Sequence, residues 1–156
     1  MTKIAIIRIA GQQGLVRKVN NTFKLLNLHK KNTCVVVEFS SDIRGMMKVI
    51  KDHSTWGEID KDTLSDLIKK RGRLPGNSSV EEAYLKEKVK KGFDEISSEL
   101  IDGKMKIKDI PGLKPFFRLN PPTKGYAPEG TKKPFSLGGA LGYRKEKIND
   151  LIQRML

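Results

Sequence analysis

The chain has 156 residues, of which 37% are hydrophobic and 31% charged, and its 31 lysines and arginines outweigh 18 acids for a formal net charge of +13. That length and apolar content fit one domain-sized core with a peripheral subdomain and exclude a wholly disordered basic tail. No stretch approaches the roughly 18 continuous apolar residues of a membrane span, the N-terminus lacks a secretory pattern, and one cysteine, Cys34, rules out an intrachain disulfide.

The first 37 residues hold seven lysines and arginines and no acid, with Glu38 the first. A distribution so one-sided points to a polyanion, with nucleic-acid phosphate the leading candidate. Lys3 to Ala10 is an isoleucine-rich run interrupted by Arg8 and ended by Gly11, which predicts a central strand. Helical spacing follows, with Leu15, Val19, Phe23 and Leu26 on one stripe and Arg17, Asn21 and Lys24 on the other. Residues 33 to 39 predict a second strand, in which Cys34 reads as a buried, inert thiol. Ser40, Ser41 and Asp42 offer caps to a short helix carrying Met46, Met47, Val49 and Ile50, the methionines being core filler. Thr55 to Ile59 supplies a third strand, with Trp56 packing under the sheet edge. The first 60 residues therefore read β-α-β-α-β, an open sheet with helices on one face, and joining sequential strands through helices suits right-handed crossovers.

Asp60 or Asp62 caps a helix carrying Leu64, Leu67 and Ile68, which stops at the basic turn Arg71-Gly72-Arg73. Ser78 and Ser79 have Glu81 and Glu82 three residues on, the capping-box spacing for a helix with Leu85, Val89, Phe93, Ile96 and Leu100, broken or bent at Gly92. Residues 78 to 102 carry seven acids against four lysines, so this side turns away from a polyanion or toward another protein. Between Pro111 and Lys147 there are eight basic residues and two acids, and six of the seven prolines fall between Pro111 and Pro134. Such an arm is extended and buries little apolar surface alone, so an external surface is expected to order it. Phe116, Phe117, Arg118, Tyr126 and Phe135 interleave rings with cations. Of the adjacent pair Phe116 and Phe117, one is expected to pack inward and one to stack on a base. Ile148, Leu151, Ile152 and Met155 form one face of a closing helix.

Four features carry a resemblance: the strand-helix-strand opening, the triplet Arg44-Gly45-Met46, the run Phe117-Arg118-Leu119-Asn120-Pro121-Pro122, and Leu137-Gly138-Gly139-Ala140-Leu141-Gly142 before a terminal helix. In order and spacing they resemble the large-subunit ribosomal protein family called L thirty in bacteria. Length and proline-rich arm are similar to its longer archaeal form, related to eukaryotic L seven, whereas the bacterial form is essentially the first 60 residues. The resemblance implies an α+β fold with a ferredoxin-like βαβαβ core, a helical middle segment and an extended basic arm ending in a helix. The corresponding divisions are 1–60 for an RNA-binding core, 61–110 for a partly acidic peripheral segment, 111–142 for the RNA-binding arm and 143–156 for a helix packing on the core. It further implies a structural role on cytoplasmic ribosomes, with large-subunit ribosomal RNA as partner, 5S RNA as a further candidate, and neighbouring ribosomal proteins.

Candidate RNA contacts are Arg8, Arg17, Lys18 and Asn21 on the first helix and its approach, and Arg44 at the second helix start, where backbone amides favour anions. The arm adds Lys114, Arg118, Asn120, Lys124, Tyr126, Lys132 and Lys133, with Arg144 and Lys145 beyond it. Arg8 has a second reading, as the partner of an internal acid, and Arg17 with Lys18 has one as a solvated helix face. His29 and His53, 24 residues apart with one cysteine, give neither metal-ligand spacing nor a nucleophile and base pair. The glycine run near Gly138 lacks the lysine and hydroxyl of a phosphate-binding loop, and Asp60, Asp62 and Asp66 fit a helix start. Neither catalytic group, metal, cofactor, membrane nor small-molecule substrate is indicated. The competing classes are a general nucleic-acid-binding protein or RNA chaperone outside the ribosome, and a protein-interaction module using residues 78 to 102.

Overall fold

Six consecutive buried residues, Lys3–Arg8, form strand β1 at the centre of a five-stranded sheet. The computed structural model describes residues 2–156. Because β1 is covered on both faces it needs no polar side, which explains an isoleucine run without polar alternation. Strands β2 (Thr33–Glu38) and β3 (Ser54–Glu58) flank it, both antiparallel, placing Ile6 opposite Val35 on one side and Trp56 on the other. The crossovers suggested by the strand-helix alternation are therefore limited. Of these three strands only β2 and β3 share a direction, because the chain after β1 returns to the same sheet end, where Asn32 N donates to Arg8 O at 2.9 Å.

Helices α1 (Arg17–Leu25) and α2 (Ser41–Ile50) cover one face through Val19, Phe23, Leu26, Met47 and Ile50, which pack on Ile4, Ile6 and Val35. The polar turn caps α2 as its sequence requires, with Ser40 Oγ accepting from Ile43 N at 3.3 Å. Ala5, Ile7, Cys34 and Val36 point to the opposite face, in keeping with the two-residue strand period. There they meet Leu64, Leu67 and Ile68 of α3 (Lys61–Arg71). The single helix expected over 78 to 102 is two, α4 (Glu82–Lys88) and α5 (Phe93–Ile101). Gly92 divides them, its N–H donating to Glu95 Oε2 at 3.3 Å. Neither serine capping box forms, because Ser79 bridges to Arg73 and Glu81 occupies the N-cap of α4.

The arm buries more than its composition predicts. Phe117–Arg118 forms β4, antiparallel to β2, and Gly142–Tyr143 forms β5, parallel to β3, giving the order β4-β2-β1-β3-β5. Both sheet edges would otherwise carry unpaired backbone groups, and pairing there orders the segment from within. Phe117 is fully buried, and Leu113, Leu119, Ala140 and Leu141 are buried with it in the cores. Helix α6 (Ile148–Met155) then closes the α3 face with Ile148, Leu151, Ile152 and Met155.

Candidate nucleic-acid interface

Three of the predicted RNA contacts turn inward. Arg8 is buried, and its guanidinium donates to Ala10 O at 2.9 Å, Leu28 O at 2.7 Å, His29 O at 3.2 Å and Gly11 O at 2.8 Å. It satisfies carbonyls at the ends of two loops, so its donors are engaged within the chain, and among the described residues it pairs with no internal acid. Arg144 is likewise buried, donating to Thr55 Oγ1 at 2.9 Å and Ala140 O at 3.0 Å and lying 5.0 Å from the centroid of Phe135. Burial draws its pKa down to about 10, which still leaves it protonated at neutral pH. Tyr126 also turns inward: its half-buried hydroxyl donates to Asn32 Oδ1, and burial raises its pKa to about 12.

These inward groups hold three loops together at the end of the sheet where β1 stops and β2 starts. Arg8 joins the turn after β1 to Leu28 and His29, and Gln12 Nε2 donates to His29 O at 2.7 Å. Leu119 N donates to Asn32 O at 3.0 Å, so β4 delivers the arm to the same place. Exposed at this end are Arg118, Asn120 and Lys124 from the arm, together with Lys30 and Lys31. Phe116 lies between two cationic or polar neighbours, edge-on to His29 at 6.3 Å between ring centroids and 5.9 Å from the Arg118 guanidinium. Of the adjacent phenylalanines, Phe117 packs inward and Phe116 stays half-exposed. The backbone of the turn beyond is fixed by α6, as Arg154 Nη1 donates to Gly125 O at 2.8 Å.

The remaining candidates sit elsewhere. Arg17, Lys18 and Asn21 are exposed on α1, and Arg44 is exposed near the start of α2. Lys132 and Lys145 are exposed, whereas Lys133 is held by Glu129 at 2.8 Å. Half-buried Lys114 donates its backbone N–H to Arg73 O at 3.0 Å, remote from the β2 start. Sequence reasoning passed over Lys30 and Lys31, although they stand together inside the acid-free opening. It also passed over Lys48 and Lys51, which join Arg44 beside a recess over β3.

Acids of the middle segment are largely neutralised by their own lysines. Glu82 pairs with Lys86 at 2.8 Å and Glu99 with Lys91 at 2.6 Å. By contrast, among the described residues Lys30, Lys31, Arg118, Lys124 and Lys132 make no ion pair. A cluster of cations without internal counterions, on loops with fixed backbones, presents a stable positive surface.

Comparisons with known proteins place this geometry in context. The family model described as ribosomal protein L30p/L7e matches residues 4–53. The chain is 50% identical over 152 residues to large ribosomal subunit protein uL30 of Methanococcus maripaludis strain C5, covering 97% of this chain and 98% of the relative. It is 47% identical over 156 residues to uL30 of Nanoarchaeum equitans strain Kin4-M, with both chains covered completely. Against uL30 of Methanopyrus kandleri strain AV19 it is 43% identical over 147 residues, covering 94% of this chain and 99% of the relative.

Proposed function

This chain belongs to the ribosomal protein L30p/L7e family, and from that membership we propose that it is a structural constituent of the large ribosomal subunit that binds and stabilises ribosomal RNA. It is not an enzyme. The observation that carries the RNA-binding reading is the set of unpaired cations at the β2 start, where Lys30, Lys31, Arg118 and Lys124 converge on loops fixed by Arg8, Gln12 and Asn32.

Those cations act by replacing counterions on phosphate, which gives fast, strongly salt-dependent association. Selectivity comes from shape: the buried arginines and the edge strands hold the positive loops at fixed spacing, so a folded RNA with matching phosphates is preferred. In this reading residues 1–60 and 111–142 form the two walls of one RNA site, residues 61–110 are turned outward, and residues 143–156 brace the arm. Arg17, Lys18, Asn21 and Arg44 extend the surface along the α1 and α2 layer. The ribosome-associated location is cytoplasmic, neighbouring ribosomal proteins are further partners, and 5S RNA is included among the RNA candidates.

Competitive filter binding tests the proposal. The full chain should prefer folded large-subunit RNA to duplex DNA at the same salt concentration. Equal affinity for the two would favour a general nucleic-acid-binding protein or an RNA chaperone instead. Crosslinking in assembled subunits would tell whether 5S RNA is among the contacts.

A further inference from the structure

Trp56, the chain's one tryptophan, is half-buried at the bottom of an open recess of about 510 Å³ between α2 and the β3–β5 edge of the sheet. That size lies within the roughly 300–1,000 Å³ typical of ligand clefts. The recess exists because α1 and α2 cover β1 and β2 but leave the outer part of the same face open. Trp56 is opposite Ile6 in one register and beside Tyr143 in the other, so its ring stands on the α2 side. Tyr143 and Phe39, each 47% exposed, complete a ring-lined rim. Arg44, Lys48 and Lys51 line the wall contributed by α2 and its C-terminal turn, and none of them makes an ion pair among the described residues.

The recess also contains one carboxylate, Glu58. Its Oε1 accepts from the Tyr143 hydroxyl, whereas its buried Oε2 has no hydrogen-bond partner among the described residues. A buried acceptor without a donor costs free energy until one is supplied. Glu58 lines the same recess as Arg44, Lys48 and Lys51, and among the described residues it forms an ion pair with none of them.

Aromatic rings, adjacent cations and a carboxylate with one unpartnered oxygen together match the chemistry of an unstacked nucleotide. We propose that this recess binds one flipped-out base of single-stranded or looped RNA, stacked against Trp56 and Tyr143 with flanking phosphates on Arg44, Lys48 and Lys51. Rotation of the Glu58 side chain off Tyr143 opens both carboxylate oxygens to the recess, where they select a base edge that presents donors. Guanine offers two side by side, N1–H and the 2-amino group, whereas uracil offers one. The inference rests on the RNA-binding reading above and adds a sequence-selective subsite to an otherwise shape-based interface.

Fluorescence titration of the full chain tests it, because all tryptophan emission comes from residue 56. The RNA pentamer UUGUU is expected to quench that emission saturably and to bind about tenfold more tightly than UUUUU, the discrimination of one bidentate base contact. Glu58→Gln should bring the two pentamers to within about twofold, since the amide turns a donor toward guanine's donors. Lys48→Ala combined with Lys51→Ala should weaken both pentamers alike. Lys48 and Lys51 are exposed and Glu58 is half-buried, and an unchanged thermal midpoint of each variant shows that the fold is kept. Unchanged Trp56 emission with either pentamer, or a guanine preference that survives Glu58→Gln, overturns the subsite. So does equal quenching by an acidic peptide such as Glu-Glu-Phe-Glu-Glu, which would assign the recess to protein. Filter binding to large-subunit RNA is measured on the same samples: its retention alongside unchanged emission sinks the subsite alone, and its loss in the wild type sinks the RNA-binding reading itself.

Discussion

The Arg8 guanidinium lies 4.2 Å from the centroid of the Phe23 ring while donating to four backbone carbonyls. One side chain thus covers the α1 core and closes two loops of the candidate interface. Arg8→Met should cost about 2–4 kcal/mol, since it leaves one buried and three partly buried carbonyls without this donor. Urea unfolding monitors this directly. Arg8→Lys should recover little, because an ammonium cannot serve four acceptors in a planar fork and stack on the ring.

Gly57 in β3 is required by the segment that follows β5. A Cβ there would lie 2.0 Å from Lys145 O and 3.0 Å from the Ile148 side chain. Gly57→Ala should therefore push the start of α6 off the sheet and destabilise the protein by about 2–4 kcal/mol, since a backbone atom is the obstacle. A thermal midpoint within about 2 °C of wild type, a shift of no more than about 1 kcal/mol, would show that this packing yields freely.

The exposed arm cations should separate binding from stability. Replacing Arg118, Lys124 and Lys132 together with glutamine should change the unfolding free energy by no more than about 1 kcal/mol, since among the described residues none is in an ion pair. RNA binding should weaken, and the slope of log affinity against log salt should fall by about two to three, near one unit for each phosphate that is no longer neutralised. The same exchange at Lys86 and Lys104, which face acids of the middle segment, should leave that slope unchanged.

Burial raises the Cys34 thiol from an ordinary value of 9.0 to about 12. The folded state therefore holds this proton more tightly than the unfolded chain. Stability from the buried neutral thiol is complete below pH 9.0 and is lost as pH rises from 9.0 toward 12. Alkylation by iodoacetamide at pH 8 should be about a thousandfold slower than in urea-unfolded protein, following the thiolate fraction. Rapid labelling of the native chain would contradict the burial.

Much of this architecture was legible in the residues, because local patterns determined it. The isoleucine run of β1, the α1 stripe ending at Leu26 and the Ser40 cap all follow from period and turn chemistry. Long-range partners were less legible. Nothing near Arg8 in sequence announces that Leu28 and His29 carbonyls, 20 and 21 residues away, consume its donors. Nor does proline content reveal that Phe117 and Gly142 pair with opposite sheet edges. Arg8 and Arg144 therefore read as phosphate ligands from composition, whereas the folded chain uses both inside. Lys30 and Lys31 gained meaning once Asn32 was seen to bind Leu119 and Tyr126.

Sucrose-gradient fractionation of cell lysate at low and high salt asks whether the chain resides on the ribosome at all. It should sediment with the large ribosomal subunit at low salt and be partly released as salt rises, since cations dominate its contacts. Absence from the large-subunit peak at low salt would contradict a structural role on the ribosome.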